Sequence, residues 1–132
     1  MGREQAFLQR RVFPDALRDF AARAMERCGL SAEDAALSAE IFATTDAWGV
    51  HSHGTRQIRP LMQNVRDGRI DPRAVPATVG EGPAWAIVDG RRAVPTALAY
   101  RGMELAMRKA RAAGIGYVGV RGSNHFGAAG YY

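Results

Sequence analysis

The hydrophobic period changes once along this chain, after Pro76, and that change restricts the fold more than any single residue does. Upstream, apolar residues recur at helical spacing; downstream they gather into short runs of strand character around one long helical stripe. The first stripe follows Pro14 and Asp15, with Leu17, Phe20, Ala21, Ala24 and Cys28 on one face until Gly29 stops it. Ser31 and Asp34 then have the spacing of a capping box, and Leu37, Ile41, Thr44 and Trp48 carry a second stripe to Gly49. Ile58, Leu61, Met62 and Val65 make a third, which accommodates Pro60 only if that residue lies in the first helical turn.

The stretch RDGRIDPRAVP supplies turn residues, and ATVG and AWAIVDG then predict two short strands separated by EGP. Pro95 opens a long helix carrying Leu98, Met103, Leu105, Ala106, Met107 and Ala110, an apolar surface broad enough to predict cover on more than one side. Residues 115–120, IGYVGV, predict a third strand. The glycines of GIGYVGVRG do not follow the G-x-G-x-x-G order of a dinucleotide loop, so they read as points of close strand packing. The expected fold class is α/β, with residues 1–70 helical and 76–132 built as strand, helix and strand. The final RGSNHFGAAGYY has the character of a strand-to-helix turn, so the sequence stops where a helix would begin, which predicts a truncated chain.

The length of 132 residues suits one domain, and 47% hydrophobic with 23% charged residues are globular values. No apolar run is long enough to span a bilayer, and MGREQAFLQRRVF has neither a secretory core nor a transit-peptide pattern. Cys28 is the single cysteine, which rules out an intrachain disulfide; its place in an apolar stripe predicts a small buried thiol and suits a reducing cytoplasm. The net charge of +5 raises nucleic acid as a partner, but Arg is scattered among Asp and Glu and the aromatic residues are not interleaved with it, which argues against that class. Lys109 is the sole lysine. Because arginine holds carboxylates by paired hydrogen bonds, a small anionic substrate accounts for part of the charge equally well.

Two of the three histidines lie in GVHSHGTR, residues 49–56. If residues 50–54 are extended, His51 and His53 project to one side, and with His125 they would give three imidazoles for zinc. That spacing is a weak metal signal, with no Asp or Glu immediately beside either residue, and no metal is expected. Acid–base chemistry asks for less: one imidazole, held by a neighbour, within reach of a substrate oxygen. Ser52 and Gly54 flank His53, while Ser123 and Asn124 precede His125 just beyond a strand's carboxyl end, where α/β sheets bind ligands. On residue type alone each of these two is as well explained by a hydrogen-bonded structural role as by catalysis, and His51 reads as structural.

GVHSHGT together with GIGYVGVRGSNHFGAAGYY resembles the malate/L-lactate dehydrogenase family, a group distinct from the Rossmann dehydrogenases. The resemblance runs along essentially the whole chain and covers only the N-terminal part of a family member. It implies an oxidoreductase that moves a hydride between NAD or NADP and a small 2-oxo or 2-hydroxy acid, assembled as a homodimer. It also implies that the family's cofactor-binding middle region is absent here and that this chain alone is inactive. By position, His53 and His125 match histidines given the proton-transfer role in different members, and Ser52 lines the same pocket. Asn124 joins the substrate-binding set as the neighbour of His125. Where the family often has arginine, five residues after the motif serine, this chain has Gln57, so Arg56 is the candidate for the substrate carboxylate. The competing expectation is a non-catalytic dimerisation or interaction module left from such an enzyme.

Overall fold

The computed structural model describes residues 11–132; most of the segment considered for a leader lies outside them. Helix α1 (Pro14–Glu26) starts with Pro14 in its first turn and carries Asp15 at the positive end of its dipole. Its packing face differs from the expected stripe. Ala21 and Met25 are buried, whereas Phe20 is 63% exposed. Cys28 is only half-buried, which corrects the expected buried thiol. The small Ala21 lets α1 approach α2 closely, and Phe20 falls outside that contact.

Helix α2 (Ala32–Ala47) is capped as expected: Ser31 Oγ accepts the Asp34 N–H at 3.1 Å. The single stripe predicted for it is incorrect. Ala35, Ser38, Ala39, Ile41, Phe42, Ala43 and Thr45 are all buried, and Trp48 is 54% exposed. Alanine-rich turns allow several neighbours to approach at once, and α2 packs against both α1 and α4. Helix α3 (Ile58–Arg66) follows a 3-10 turn over Thr55–Gln57, so Pro60 does lie in its first turn, and Leu61 points into the core.

Strands β1 (Ala77–Glu81) and β2 (Trp85–Asp89) pair antiparallel, and β2 pairs parallel with β3 (Tyr117–Arg121), giving the sheet order β1-β2-β3. A parallel pair needs a crossover, which is supplied by helix α4 (Pro95–Ala113). Gly114 ends α4 in the left-handed conformation at φ 82°, a position that suits glycine. Gly116 then runs so close to α4 that a Cβ would overlap the Ala106 carbonyl. The first two turns of α4 are buried through Pro95, Thr96, Ala97, Leu98 and Gly102. Its second half is not covered on a second side as expected, since Met103 is 39% and Met107 45% exposed. Met25, Phe42, Leu61, Ile70 and Val94 meet in one core formed by the helices and the loops that join them. The α/β class and the order of elements agree with the sequence reading. No helix among the described residues is long and apolar enough to cross a membrane.

Candidate active site

The histidine motif begins where α2 ends. Trp48 closes the helix, Gly49 turns the chain at φ 80°, and the Val50 N–H donates to the Thr45 carbonyl at 3.1 Å. The His53 N–H then donates to the Val50 carbonyl at 3.0 Å, so residues 51–54 form a turn, and the extended arrangement that would align His51 with His53 is not formed. The two imidazoles consequently diverge. His51 Nδ1 meets Asp46 Oδ1 at 3.1 Å, while His53 Nδ1 pairs with Ser52 Oγ at 2.8 Å.

The second motif follows β3. The His125 N–H donates to Asn124 Oδ1 at 2.8 Å, and the Gly127 N–H donates to His125 Nδ1 at 3.3 Å. Gly127 has φ 91° and is buried against Phe42, Ile41 and the His53 carbonyl, so the loop carrying His125 is seated directly on the turn carrying His53. The two rings, far apart in the sequence, lie 5.3 Å apart between centroids with 36° between their planes.

This geometry determines which nitrogens are free. A donated N–H at His125 Nδ1 requires that nitrogen to be unprotonated, so the neutral ring carries its proton on Nε2. At His53 the serine hydroxyl can donate or accept, and both tautomers keep a partner at Nδ1. Among the described residues neither Nε2 has a hydrogen-bond partner, which leaves it for an outside group. A small cavity of about 50 Å³ beside His125 is lined by Phe42, Leu61, Gln57, Asn64 and Asn124. Asn124 also borders a larger groove of about 650 Å³ between α4 and β3, where Ser123, Met103, Tyr117 and Phe126 lie.

The structure thus brings the Ser52–His53 and Asn124–His125 pairs together. Arg56 is exposed and lines a different, open cleft of about 910 Å³ with Arg11, Asp46 and His51. Gln57 is the residue of that turn that borders the small cavity, and its Nε2 donates to the Ser52 carbonyl at 2.6 Å. Among the described residues no group of three or more His, Cys, Asp and Glu is placed to hold a metal ion.

Sequence reasoning passed over Asp46. Its Oδ2 accepts the Thr55 N–H at 2.9 Å and the Thr55 hydroxyl, in addition to the His51 contact at Oδ1. Burial alone would push this carboxyl up, but the hydrogen bonds from Thr55 and the contact with His51 outweigh it, and its pKa lies below the ordinary value of 3.8. The signal in the sequence was an acid in the last turn of a helix, where the dipole disfavours one.

Paired imidazoles held through Nδ1, at the meeting of a helix end and a strand end, define a site able to exchange protons with a bound molecule. The chain belongs to the malate/L-lactate dehydrogenase family, whose profile matches residues 12–132. It is similar to the solved structure of malate dehydrogenase from Pyrococcus horikoshii, with a TM-score of 0.91 and 36% identity over 93% of this chain and 35% of that one. L-sulfolactate dehydrogenase from Methanocaldococcus jannaschii is 36% identical over 82% of this chain and 31% of its own length. 2,3-Diketo-L-gulonate reductase from Klebsiella pneumoniae is 35% identical over 79% of this chain and 31% of its own. The chain therefore spans about a third of the length of these relatives.

Proposed function

We propose that this chain forms the N-terminal, proton-handling wall of an NAD- or NADP-dependent oxidoreductase acting on a small 2-oxo or 2-hydroxy acid. The observation that carries this reading is the approach of His53 to His125, because it joins the two motifs on which the family resemblance rests. The relatives named for malate, sulfolactate and diketogulonate support an acid substrate with an oxidisable carbon beside its carboxylate.

The groove between α4 and β3 suits the flat nicotinamide end of the cofactor: its walls are mainly apolar, with Ser123 and Asn124 as polar groups at its rim. Among the described residues no Arg or Lys lines it, so the cofactor's diphosphate would be held by residues outside this groove. When bound, the nicotinamide supplies hydride exchange with the substrate C2. The chain's own residues handle the proton. An imidazolium gives its Nε2 proton to the oxygen on C2 as negative charge develops there and is left neutral: His53 can do so with Ser52 Oγ accepting from its Nδ1–H, while the Gly127 N–H holds Nδ1 of His125 in the neutral ring. Asn124 orients the loop of His125 and offers its amide to the substrate edge. Arg56 is assigned to a carboxylate of the substrate on residue type, although it lines a cleft other than the cavity beside His125. The complete protein is, on this reading, a cytoplasmic homodimer, and these residues alone do not turn over substrate.

The exposed Met103, Met107, Tyr117 and Phe126 favour a second reading, a non-catalytic dimerisation or interaction module. One experiment separates the two. The complete protein is assayed with 2-oxo acids and either reduced nicotinamide, and this chain is examined by light scattering with cofactor titration. Turnover of at least one 2-oxo acid by the complete protein supports the oxidoreductase. Self-association of this chain, with no cofactor binding and no turnover by any form, supports the module.

A further inference from the structure

The tightest polar arrangement near the histidine pair is centred on a residue outside both motifs. Asp46 occupies the last turn of α2, and only 17% of its side chain is exposed. A carboxylate there opposes the helix dipole and loses hydration, so its presence requires compensation. Both oxygens are used: Oδ2 by the N–H and hydroxyl of Thr55, Oδ1 by Nδ1 of His51. Gly54, between His53 and Thr55, is buried against the same carboxylate so closely that a Cβ would overlap it.

We propose that Asp46 is the positioning residue of the site: its carboxylate anchors Gly54 and Thr55 and thereby fixes the turn from which the His53 ring meets His125. His51 serves this anchor and takes no part in proton transfer itself. The consequence for catalysis rests on the reading of His53 and His125 as the proton-transfer pair; the anchoring does not. Glu40 provides the contrast. It lies on the same helix, accepts the Thr44 hydroxyl at 2.8 Å and pairs with Arg18, and has no hydrogen bond to the histidine turn.

The test compares Asp46→Asn, Thr55→Val, Thr55→Ser and Glu40→Gln in this chain, reading the proton–proton contact between the His53 and His125 rings by NMR together with the melting temperature. The contact is expected in the parent, Thr55→Ser and Glu40→Gln, and is expected to be lost in Asp46→Asn and weakened in Thr55→Val. In the complete protein, Asp46→Asn should lower kcat about tenfold with little change in KM, the scale of a misaligned general acid, while Glu40→Gln leaves kcat unchanged. A melting-temperature loss in Asp46→Asn no larger than that of Glu40→Gln, with the ring contact intact, overturns the proposal, as does absence of the contact in the parent. If Asp46→Asn does not fold, Thr55→Val decides: a weakened contact supports the anchor and an unchanged one overturns it. Loss of the contact in a protein with no activity on any 2-oxo acid would defeat the oxidoreductase reading and leave the positioning role standing.

Discussion

Ser38 and Thr96 join α2 to α4 through a 2.6 Å hydrogen bond between two wholly buried hydroxyls. Neither oxygen has access to water, so removing one partner leaves the other unsatisfied at a cost of about 1–3 kcal/mol. Ser38→Ala is expected to lose that much in urea unfolding. The double variant Ser38→Ala/Thr96→Val should recover part of the loss, because it leaves no orphaned hydroxyl. A double variant no more stable than Ser38→Ala would contradict this reading of the bond.

Asp46 makes stability depend on acid in a defined direction. Its folded pKa lies below the ordinary value of 3.8, so the stabilisation it provides is fully present above that value and is lost as pH falls through the lower folded pKa. Asp46→Asn should therefore be less stable than the parent at neutral pH and show a shallower fall in stability in the acid range. Chemical unfolding across that range checks it, and parallel curves for the two proteins would show that Asp46 is not the group responsible.

Two glycines at the junction of α4 and β3 should respond differently to alanine. Gly114 needs only its left-handed backbone, with open space around it, and Gly114→Ala is expected to cost about 1 kcal/mol. Gly116 lies against the Ala106 carbonyl, so Gly116→Ala must push strand and helix apart and should cost more, on the order of 2–3 kcal/mol as for an overpacked core. Equal losses in thermal unfolding would mean that this contact is not tight.

These junctions also show how much of the molecule was legible beforehand. Helix and strand limits were readable because their signals are local: the Ser31 cap, Pro95 at a helix start, Gly114 at a helix end. Side-chain burial was less so. In α2 the small alanines admit neighbours all round, and no single stripe records that. In α4 the apolar surface is broad, yet composition does not say what packs over Met103 and Met107. At the site, residue type and order singled out His53 and His125, but the turn that separates His51 from His53 depends on Asp46, reached through tertiary hydrogen bonds.

Arg56 has a kinetic test of its own. If it holds a substrate carboxylate, Arg56→Ala in the complete protein raises KM for 2-oxo acids by about tenfold or more, the scale of a lost charged hydrogen bond, with a smaller effect on kcat. An unchanged KM over several 2-oxo acids removes Arg56 from the site and turns attention to Gln57, which borders the cavity beside His125.

The central claim is that the imidazole pair moves the proton during substrate reduction. The most direct measurement is kcat of His53→Ala and His125→Ala in the complete protein, with a 2-oxo acid and saturating reduced nicotinamide. At least one variant is expected to fall by about 10² or more, the usual contribution of a general acid, while cofactor affinity is retained. Near-parental kcat in both variants would contradict it.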